Sequence, residues 1–449
     1  MIHPAGLFTT VDGPFFTFYA FNTVSSMYMF TKRQIWTAIF AAITSFSAYT
    51  AIFTFRKAFN VAAYEGHTLF GMDYKIVLVI TQVLGYMAAK FYGIRFISEM
   101  KRVRRHMLIF SLVGMSWLAW LMFALMPPPY NFWCLFLNGF PLGMLWGVVF
   151  SYVEGRRTTD LISAALAVSF IFASGLAKTT AQWVMDAWTV SEYWMPFVVG
   201  CIFMPVLFVF VILLEKIPPP DEADIQQRMD RKPMAKAERS ALLRSFLPGI
   251  FALVVIYILV TILREIRDSF MADMWRESGV ALEAGVFAKT ETTISLIILV
   301  LIAAMIWMRN NFRAFMLAQG MMLAGFIIAL GATILYQRLQ LQMYGWMLMV
   351  GLGLYMVYIP FNSILFDRFI ATFRFAGNVG FLIYIADSFG YLGSVGVLLS
   401  KTVFNLQANW LQFYMQLVMV TGLAGITGTL VSMLYFSRKY FKARRSGEL

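Results

Sequence analysis

Twelve ionisable side chains lie inside the long apolar stretches of this sequence of 449 residues. A charge within a membrane-spanning segment is costly, so such a residue marks a candidate functional site. Positive residues outnumber negative ones by eight to four. The basic residues are Arg56, Lys57, Lys90, Arg95, Lys178, Arg264, Arg267 and Lys289, and the acidic residues are Glu265, Asp268, Glu291 and Asp387.

This excess of positive charge predicts an anionic ligand. A buried cavity with unbalanced cations is unfavourable when empty and becomes favourable when an anion enters. Guanidinium groups bind phosphate or carboxylate through two parallel hydrogen bonds, which ammonium groups do less specifically. We therefore expect a small anionic substrate to bind Tyr49, Arg56, Lys57, Lys90, Lys178, Arg264 and Arg267. The residues expected to balance these cations, or to carry a proton, are Glu265, Asp268, Glu291 and Asp387.

Arg56 and Arg264 lie at matching places in the two halves of the chain, 208 residues apart. Arg264, Arg267 and Asp268 are spaced to share one helix face. Tyr49 lies two helical turns before Arg56 and is expected on the same face. These spacings predict that one cavity receives side chains from both halves.

Purely structural roles are also compatible with the sequence. Arg56 lies near the end of its span, where a basic side chain can snorkel to the membrane interface. Arg264 and Asp268 can form a simple i,i+4 pair, and Asp387 can pair with a neighbouring helix. Two observations favour a binding site: the predicted outer side has few other basic residues, and the arginines recur in both halves.

The sequence lacks common signatures of metal, nucleotide and hydrolase chemistry. It contains no HExxH, GxxxxGK(S/T) or GxSxG motif. Cys134 and Cys201 both lie in apolar runs, which argues against a disulfide framework or a thiolate metal site. We therefore predict that the protein is not an enzyme and uses no metal or cofactor.

Long apolar runs predict the class of fold. Hydrophobic residues make up 60% of the chain and charged residues 13%. The runs are about 20 residues long, enough to cross a bilayer as helices. We predict an all-α integral membrane protein with twelve transmembrane helices in two six-helix halves. The predicted spans are 34–59, 74–98, 106–126, 132–154, 160–184, 194–215, 246–272, 282–307, 314–336, 341–366, 375–400 and 410–436.

A charged segment at 216–245 separates the sixth and seventh spans. Three consecutive prolines near its start end the sixth span. This is the pattern of a duplicated transporter with a cytoplasmic linker. The predicted divisions are a segment 1–31 that is either interfacial or untranslated, a half at 32–215, the linker at 216–245, a half at 246–437 and a basic tail at 438–449.

The distribution of basic residues predicts the orientation. Loops and tails on one side carry most of the 36 Lys and Arg residues. Because cytoplasmic loops are richer in Lys and Arg, we expect both termini and the linker to lie in the cytoplasm. The net charge of +13 then reflects membrane topology, and nucleic-acid binding is not expected.

The pattern resembles the major facilitator superfamily (MFS), and within it the organophosphate:phosphate antiporters. That family has a Tyr…Arg-Lys-x-Phe motif in its first helix and a Gly-Tyr-x-x-x-Lys-Phe motif in its second. Its seventh helix carries an arginine followed by an aspartate, and its eighth a glutamate. The matching residues are Tyr49, Arg56, Lys57, Phe59, Gly85, Tyr86, Lys90, Phe91, Gly93, Arg264, Asp268 and Glu291. The resemblance implies that Arg56 and Arg264 bind phosphate together, with Lys90 in support.

Other features depart from the antiporter family. The superfamily has an Asp-Arg core in the loop after its second helix, where this chain has Ser-Glu-Met-Lys at 98–101. The family's fifth-helix histidine has no match, and Lys178 is its expected substitute. The chain also resembles an uncharacterised bacterial branch of the superfamily, which implies the bacterial cytoplasmic (inner) membrane.

We predict a secondary active transporter of a phosphorylated or carboxylated metabolite that works by alternating access. Phosphate antiport and proton symport are both compatible with its residues. The rival is a non-transporting receptor or scaffold on a transporter fold, because fold alone does not determine function. A monomer in the lipid bilayer is expected.

Overall fold

The computed structural model of this chain is a bundle of long helices. It describes residues 32–98, 105–154, 156, 158–219, 236–283, 285–306, 308, 310–373, 380–403 and 409–446. The predicted segment 1–31, the linker residues 220–235, the loop residues 99–104 and the last residues of the tail, 447–449, lie outside this part of the chain.

Thirteen α-helices lie in the described residues. Those before the linker are α1 Lys32–Lys57, α2 Tyr74–Ser98, α3 Arg105–Leu125, α4 Trp133–Phe150, α5 Thr159–Trp188 and α6 Met195–Glu215. Those that follow are α7 Lys236–Glu277, α8 Val286–Ile306, α9 Asn311–Gln337, α10 Met343–Ser363, α11 Leu365–Phe373, α12 Gly380–Val403 and α13 Trp410–Arg445. The short elements are the 3-10 segments Ala58–Val61 and Tyr130–Phe132 and the antiparallel strands β1 Thr68–Leu69 and β2 Met72–Asp73, in which Thr68 pairs with Asp73 and Leu69 with Met72.

Ten of the described helical segments are long and apolar enough to cross a membrane. The helices α2 and α12, with 25 and 24 residues, occupy the second and eleventh predicted spans. Helices form here because a backbone in lipid must satisfy its hydrogen bonds internally. The prediction of an all-α, multi-pass membrane protein is confirmed, and the count of twelve spans stays a prediction.

Three helices differ most from the predicted spans. The helix α7 begins at Lys236, ahead of the predicted start at 246, and has a non-helical residue at Phe246. The helix α13 continues to Arg445, past the predicted end at 436. The helix α11 was not predicted, because its nine residues are too few to cross a membrane. Apolar length detects spans, and it misses helices that continue into the polar region.

The two halves meet through pairs of packed helices. The helix α5 packs on α8, α2 packs on α12, and the segment Ala58–Val61 packs on α7. The approach of α5 to α8 is close, since a Cβ atom on Gly175 would lie 2.6 Å from the carbonyl oxygen of Phe287. These contacts bring the end of α1 beside α7, and most of the predicted site residues lie on these two helices.

Candidate functional site

The end of α1 is held by side chains of the neighbouring helices. The last carbonyl groups of a helix have no partner within it and need other donors. Trp120 Nε1 donates to the carbonyl oxygen of Phe55 at 2.6 Å, and Asn138 Nδ2 donates to the same oxygen at 3.1 Å. Gln82 Nε2 donates to the carbonyl oxygen of Arg56 at 3.0 Å. The backbone that carries Arg56 is thereby fixed against α2, α3 and α4.

Glu265 on α7 is the common partner of three cations. Its Oε1 atom lies 2.9 Å from Lys57 Nζ and 3.4 Å from Arg56 Nη2. Its Oε2 atom lies 3.2 Å from Nη2 of the adjacent Arg264. One carboxylate therefore joins the end of α1 to α7.

Asp268, one turn further along α7, is shared by two lysines. Its Oδ2 atom lies 2.7 Å from Lys57 Nζ, and its Oδ1 atom lies 2.5 Å from Lys178 Nζ on α5. Ser174 Oγ donates to the same Oδ1 atom and accepts a hydrogen bond from Lys178 at 2.6 Å. Lys57 bonds both Asp268 and Glu265, so the two carboxylates belong to one network.

This network, which we call the shared-carboxylate cluster, contains four cations and two carboxylates: Arg56, Lys57, Lys178 and Arg264 with Glu265 and Asp268. Its formal charge is thus +2. None of the six residues is more than 4% exposed. Burial makes uncompensated charge expensive, so the cluster favours an added anion.

The two arginines retain unused hydrogen-bond donors. Within the described part of the chain, the Nε atoms of Arg56 and Arg264 are buried without a hydrogen-bond partner. A guanidinium group offers five N–H donors, and a buried donor without a partner costs free energy. These donors suit a ligand with carboxylate or phosphate oxygens.

Aromatic rings surround the two guanidinium groups. Arg56 Cζ lies 3.8 Å from the ring centroid of Tyr86, and Arg264 Cζ lies 4.8 Å from that of Tyr358. Tyr391 lies between the arginines, with centroid distances of 5.9 Å to Arg56 and 5.8 Å to Arg264, and its hydroxyl accepts from Arg264 Nη2 at 3.1 Å. These cation–π contacts partly replace the hydration that burial removes.

The predicted residues Lys90, Arg267, Glu291 and Asp387 form two separate pairs. Arg267 Nη1 lies 2.7 Å from Glu291 Oε1, and Arg267 Nη2 donates to the carbonyl oxygen of Met347 at 3.1 Å. Lys90 Nζ lies 3.3 Å from Asp387 Oδ2. Each of these cations has its own carboxylate, unlike those of the shared-carboxylate cluster.

These contacts correct one expectation about side-chain direction and exclude one of the structural alternatives. Arg264, Arg267 and Asp268 do not act as one face, because Arg267 turns to α8 and α10 while Asp268 turns to α1 and α5. Arg56 does not snorkel, because it is 2% exposed and contacts Glu265. Tyr49 is buried and packs edge-on against Trp146, at a centroid distance of 5.1 Å.

The charges are divided unequally between the halves. The first half supplies only cations to these contacts, and every acid comes from the second half. The first half contributes Arg56, Lys57, Lys90 and Lys178, and the second contributes Arg264, Arg267, Glu265, Asp268, Glu291 and Asp387. Ion pairs between these sets hold the halves together at the site.

A second set of contacts joins the two halves at one end of the bundle. We call this the far end, because the first and last described residues lie at the other end. Lys75 Nζ on α2 lies 2.5 Å from Asp273 Oδ2 on α7 and donates to the carbonyl oxygen of Asn60 at 2.9 Å. Arg276 lies 3.0 Å from Asp273 Oδ1 and donates to the carbonyl oxygen of Val61. These bonds tie the segment that follows Arg56–Lys57 to α7.

Among the described residues, no group of three or more His, Cys, Asp or Glu side chains is arranged to hold a metal ion.

A family model matches most of the chain. Residues 58–439 match the DUF5690 model, which is described as a family of unknown function. Among curated protein sequences, none matches this chain.

Solved structures with a similar fold are membrane transporters. The human organic anion transporter MFSD10 (TETRAN) gives a TM-score of 0.54 at 13% identity, covering 89% of this chain and 99% of that one. A bacterial homologue of the human lysosomal transporter Spinster, inward-facing and unoccupied, gives 0.56 at 13% identity, covering 90% and 98%. A bacterial homologue of the human drug peptide transporters PepT1 and PepT2 gives 0.56 at 16% identity, covering 90% and 98%. The chain therefore shares the fold of these three proteins, and its resemblance to the phosphate antiporters stays a prediction.

Proposed function

The chain belongs to the DUF5690 family of unknown function, and we propose that it is a secondary active transporter of a small organic anion. The observation that carries this proposal is the shared-carboxylate cluster, in which four buried cations share two carboxylates between the halves. A structural network would be expected to balance its charges. The excess of two positive charges therefore favours binding of an anionic ligand.

The anion would bind Arg56 and Arg264 together. Both already touch Glu265, at 3.4 and 3.2 Å, and both have an unused Nε donor. A carboxylate or phosphate group accepts paired N–H donors from a guanidinium group in a planar geometry. Since the two arginines come from different halves, one bound anion would stabilise a state in which the halves are closed around it.

Coupling would act through the acids of the second half. Protonation of Glu265 or Asp268 would remove one of the two ion pairs of Lys57 and so weaken the contact between α1 and α7. A second anion would release the same contacts by competing for the cations. We therefore propose that the acids couple transport either to protons or to a counter-transported anion such as phosphate. The proposed setting is a monomer in a bacterial inner membrane with both termini in the cytoplasm.

Counterflow in proteoliposomes tests this proposal. Labelled inorganic phosphate, a labelled sugar phosphate and a neutral sugar are the probes. We expect counterflow of an anion and none of the neutral sugar. Arg56→Gln and Arg264→Gln should each slow it by about 10- to 100-fold, because a hydrogen bond to a charged group contributes about 1.5–3 kcal/mol. Arg338→Gln, at an exposed basic residue outside the site, should have no effect.

The counterflow assay also distinguishes a transporter from a non-transporting receptor or scaffold. A wild-type protein that exchanges none of the anions would favour a receptor or scaffold on a transporter fold. Counterflow that is equal in the wild type and both arginine variants would contradict the proposed site, while leaving transport itself intact.

The contacts at the far end lead to a prediction about alternating access. Asp273→Asn removes the charge that Lys75 and Arg276 share, at 2.5 and 3.0 Å, and should bias the bundle toward a state with the far end open. Ala58 lies near these far-end contacts and is 1% exposed, so Ala58→Cys reports whether water reaches this end of the bundle. In the Asp273→Asn background, a water-soluble maleimide should label this cysteine about tenfold faster than in the background with native Asp273. A tenfold change corresponds to a shift of about 1.4 kcal/mol in the equilibrium between the closed and open states.

The native cysteines would be replaced for this measurement, since Cys134 is buried and Cys201 is exposed. The control is Glu283→Gln, an exposed acid near the start of α8. It should leave labelling of Ala58→Cys unchanged. Equal labelling with and without Asp273→Asn would show that these ion pairs do not hold the far end closed.

A further inference from the structure

The helix α13 extends beyond the length needed to cross a membrane. Its 36 residues, Trp410–Arg445, span about 54 Å at 1.5 Å per residue, against about 30 Å for the hydrocarbon core of a bilayer. Its last turn contains Lys442, Arg444 and Arg445, and the residues Trp410–Arg445 include no Asp or Glu. Its final turns therefore form a positively charged end at the membrane surface.

One stripe of α13 changes from apolar to basic. Val431 and Leu434 are 53% and 59% exposed. Arg438 and Lys442 follow on the same side, at spacings of four and seven residues that share a helix face, and both are exposed. A groove of about 740 Å³ runs along these four residues.

The cations of this groove differ in what they already bind. Lys439 donates to the carbonyl oxygen of Ser245 on α7 and lies 4.5 Å from the ring centroid of Phe246, so it joins two helices. In the part of the chain that the structure describes, no carboxylate lies within ion-pair distance of Arg438 or Lys442. These two side chains remain for a ligand outside the protein.

We infer that this groove binds an anionic phospholipid. The phosphate would lie between Arg438 and Lys442, and an acyl chain would cover Val431 and Leu434. Charge complementarity selects an anionic headgroup, because basic residues at a membrane surface attract anionic lipid. The exposed apolar residues directly beside the cations select a lipid over a free phosphate, since a free phosphate would leave them uncovered. This site is separate from the shared-carboxylate cluster and does not depend on the transport proposal.

Native mass spectrometry of the purified full chain in mixed micelles tests this inference. The probes are phosphatidylglycerol and phosphatidylcholine with identical acyl chains. The wild type should retain phosphatidylglycerol in preference to phosphatidylcholine. The double variant Arg438→Gln/Lys442→Gln should bind phosphatidylglycerol about 25-fold more weakly, since each basic residue near an anionic surface contributes roughly fivefold.

A matched control removes two exposed cations from the same end of the bundle. Lys216 follows α6 and Arg313 lies in the first turn of α9. Lys216→Gln/Arg313→Gln should keep the preference for phosphatidylglycerol. The charge-conserving variant Arg438→Lys/Lys442→Arg should also keep most of it, which separates loss of charge from loss of folding.

Three results would overturn the inference. The first is equal binding of both lipids by the wild type. The second is a loss of phosphatidylglycerol binding in Lys216→Gln/Arg313→Gln that is as large as in Arg438→Gln/Lys442→Gln. The third is displacement of phosphatidylglycerol by soluble glycerol phosphate at comparable concentration, which would identify a site for free phosphate esters.

Discussion

Glu265→Gln is expected to destabilise the protein by about 3–5 kcal/mol, the range found when one partner of a buried ion pair is removed. The carboxylate lies 2.9 Å from Lys57, 3.4 Å from Arg56 and 3.2 Å from Arg264. All three cations are at most 4% exposed, so water cannot solvate them after the carboxylate is lost. Without Glu265, the cluster has four cations and one carboxylate, and its formal excess rises to +3.

The same variant should be rescued by a bound anion. An anion that binds only the folded state at 100 times its dissociation constant stabilises it by about 2.7 kcal/mol. Because Glu265→Gln increases the unbalanced positive charge, a transported anion should bind it more tightly than the wild type. Thermal unfolding in detergent, with phosphate or a sugar phosphate titrated at constant ionic strength, measures this effect.

Glu192→Gln provides the control for this experiment. Glu192 accepts hydrogen bonds from the backbone N–H groups of Tyr64, at 2.7 Å, and Ala63, at 3.4 Å, outside the cluster. Its replacement should lower stability without a larger response to anions. If both variants gain equally from added anion, the effect is a general one of salts, and the cluster is not an anion site.

The sequence predicted the fold class and the burial of the charges for one physical reason. A run of apolar residues long enough to cross a bilayer must be helical, and a charge within it must face protein. Arg56, Lys57 and Arg264 follow this rule, with at most 4% of each residue exposed. Both inferences need only the order of residues along the chain.

The partners of those charges could not be predicted in the same way. Helical periodicity gives the face on which Asp268 lies, and the neighbour on that face depends on how α1 and α5 pack against α7. The adjacent residues Arg267 and Asp268 therefore contact different helices, α8 and α5 among them.

The aromatic surroundings were missed for a different reason. Among 20 Tyr and 44 Phe residues, composition does not single out the few that lie over a guanidinium group. For Tyr391, a signal was available, because it follows Asp387 by four residues and so shares its helix face. Tyr86 belongs to the second-helix motif, but only packing shows that its ring covers Arg56.

The pair formed by Arg267 and Glu291 should behave differently from the shared-carboxylate cluster. Arg267 Nη1 lies 2.7 Å from Glu291 Oε1, and the two residues are 2% and 1% exposed. Arg267→Gln or Glu291→Gln alone should destabilise the protein by about 3–5 kcal/mol, because each leaves a buried charge without its partner. The double variant should recover most of this loss, since replacing both members of a buried pair is often neutral. Unfolding of the wild type and the three variants gives the interaction energy of the pair.

Anion counterflow by the same variants separates balance of charge from binding. Arg267→Gln/Glu291→Gln should recover transport along with stability if the pair only balances charge. Arg56→Gln/Glu265→Gln also removes one charge of each sign, yet it should stay inactive, because Arg56 is needed to bind the anion and not only to neutralise Glu265. Recovery of transport in both double variants would mean that Arg56 only balances charge. Failure of both would make the Arg267–Glu291 pair part of the transport machinery, as a coupling pair between α7 and α8.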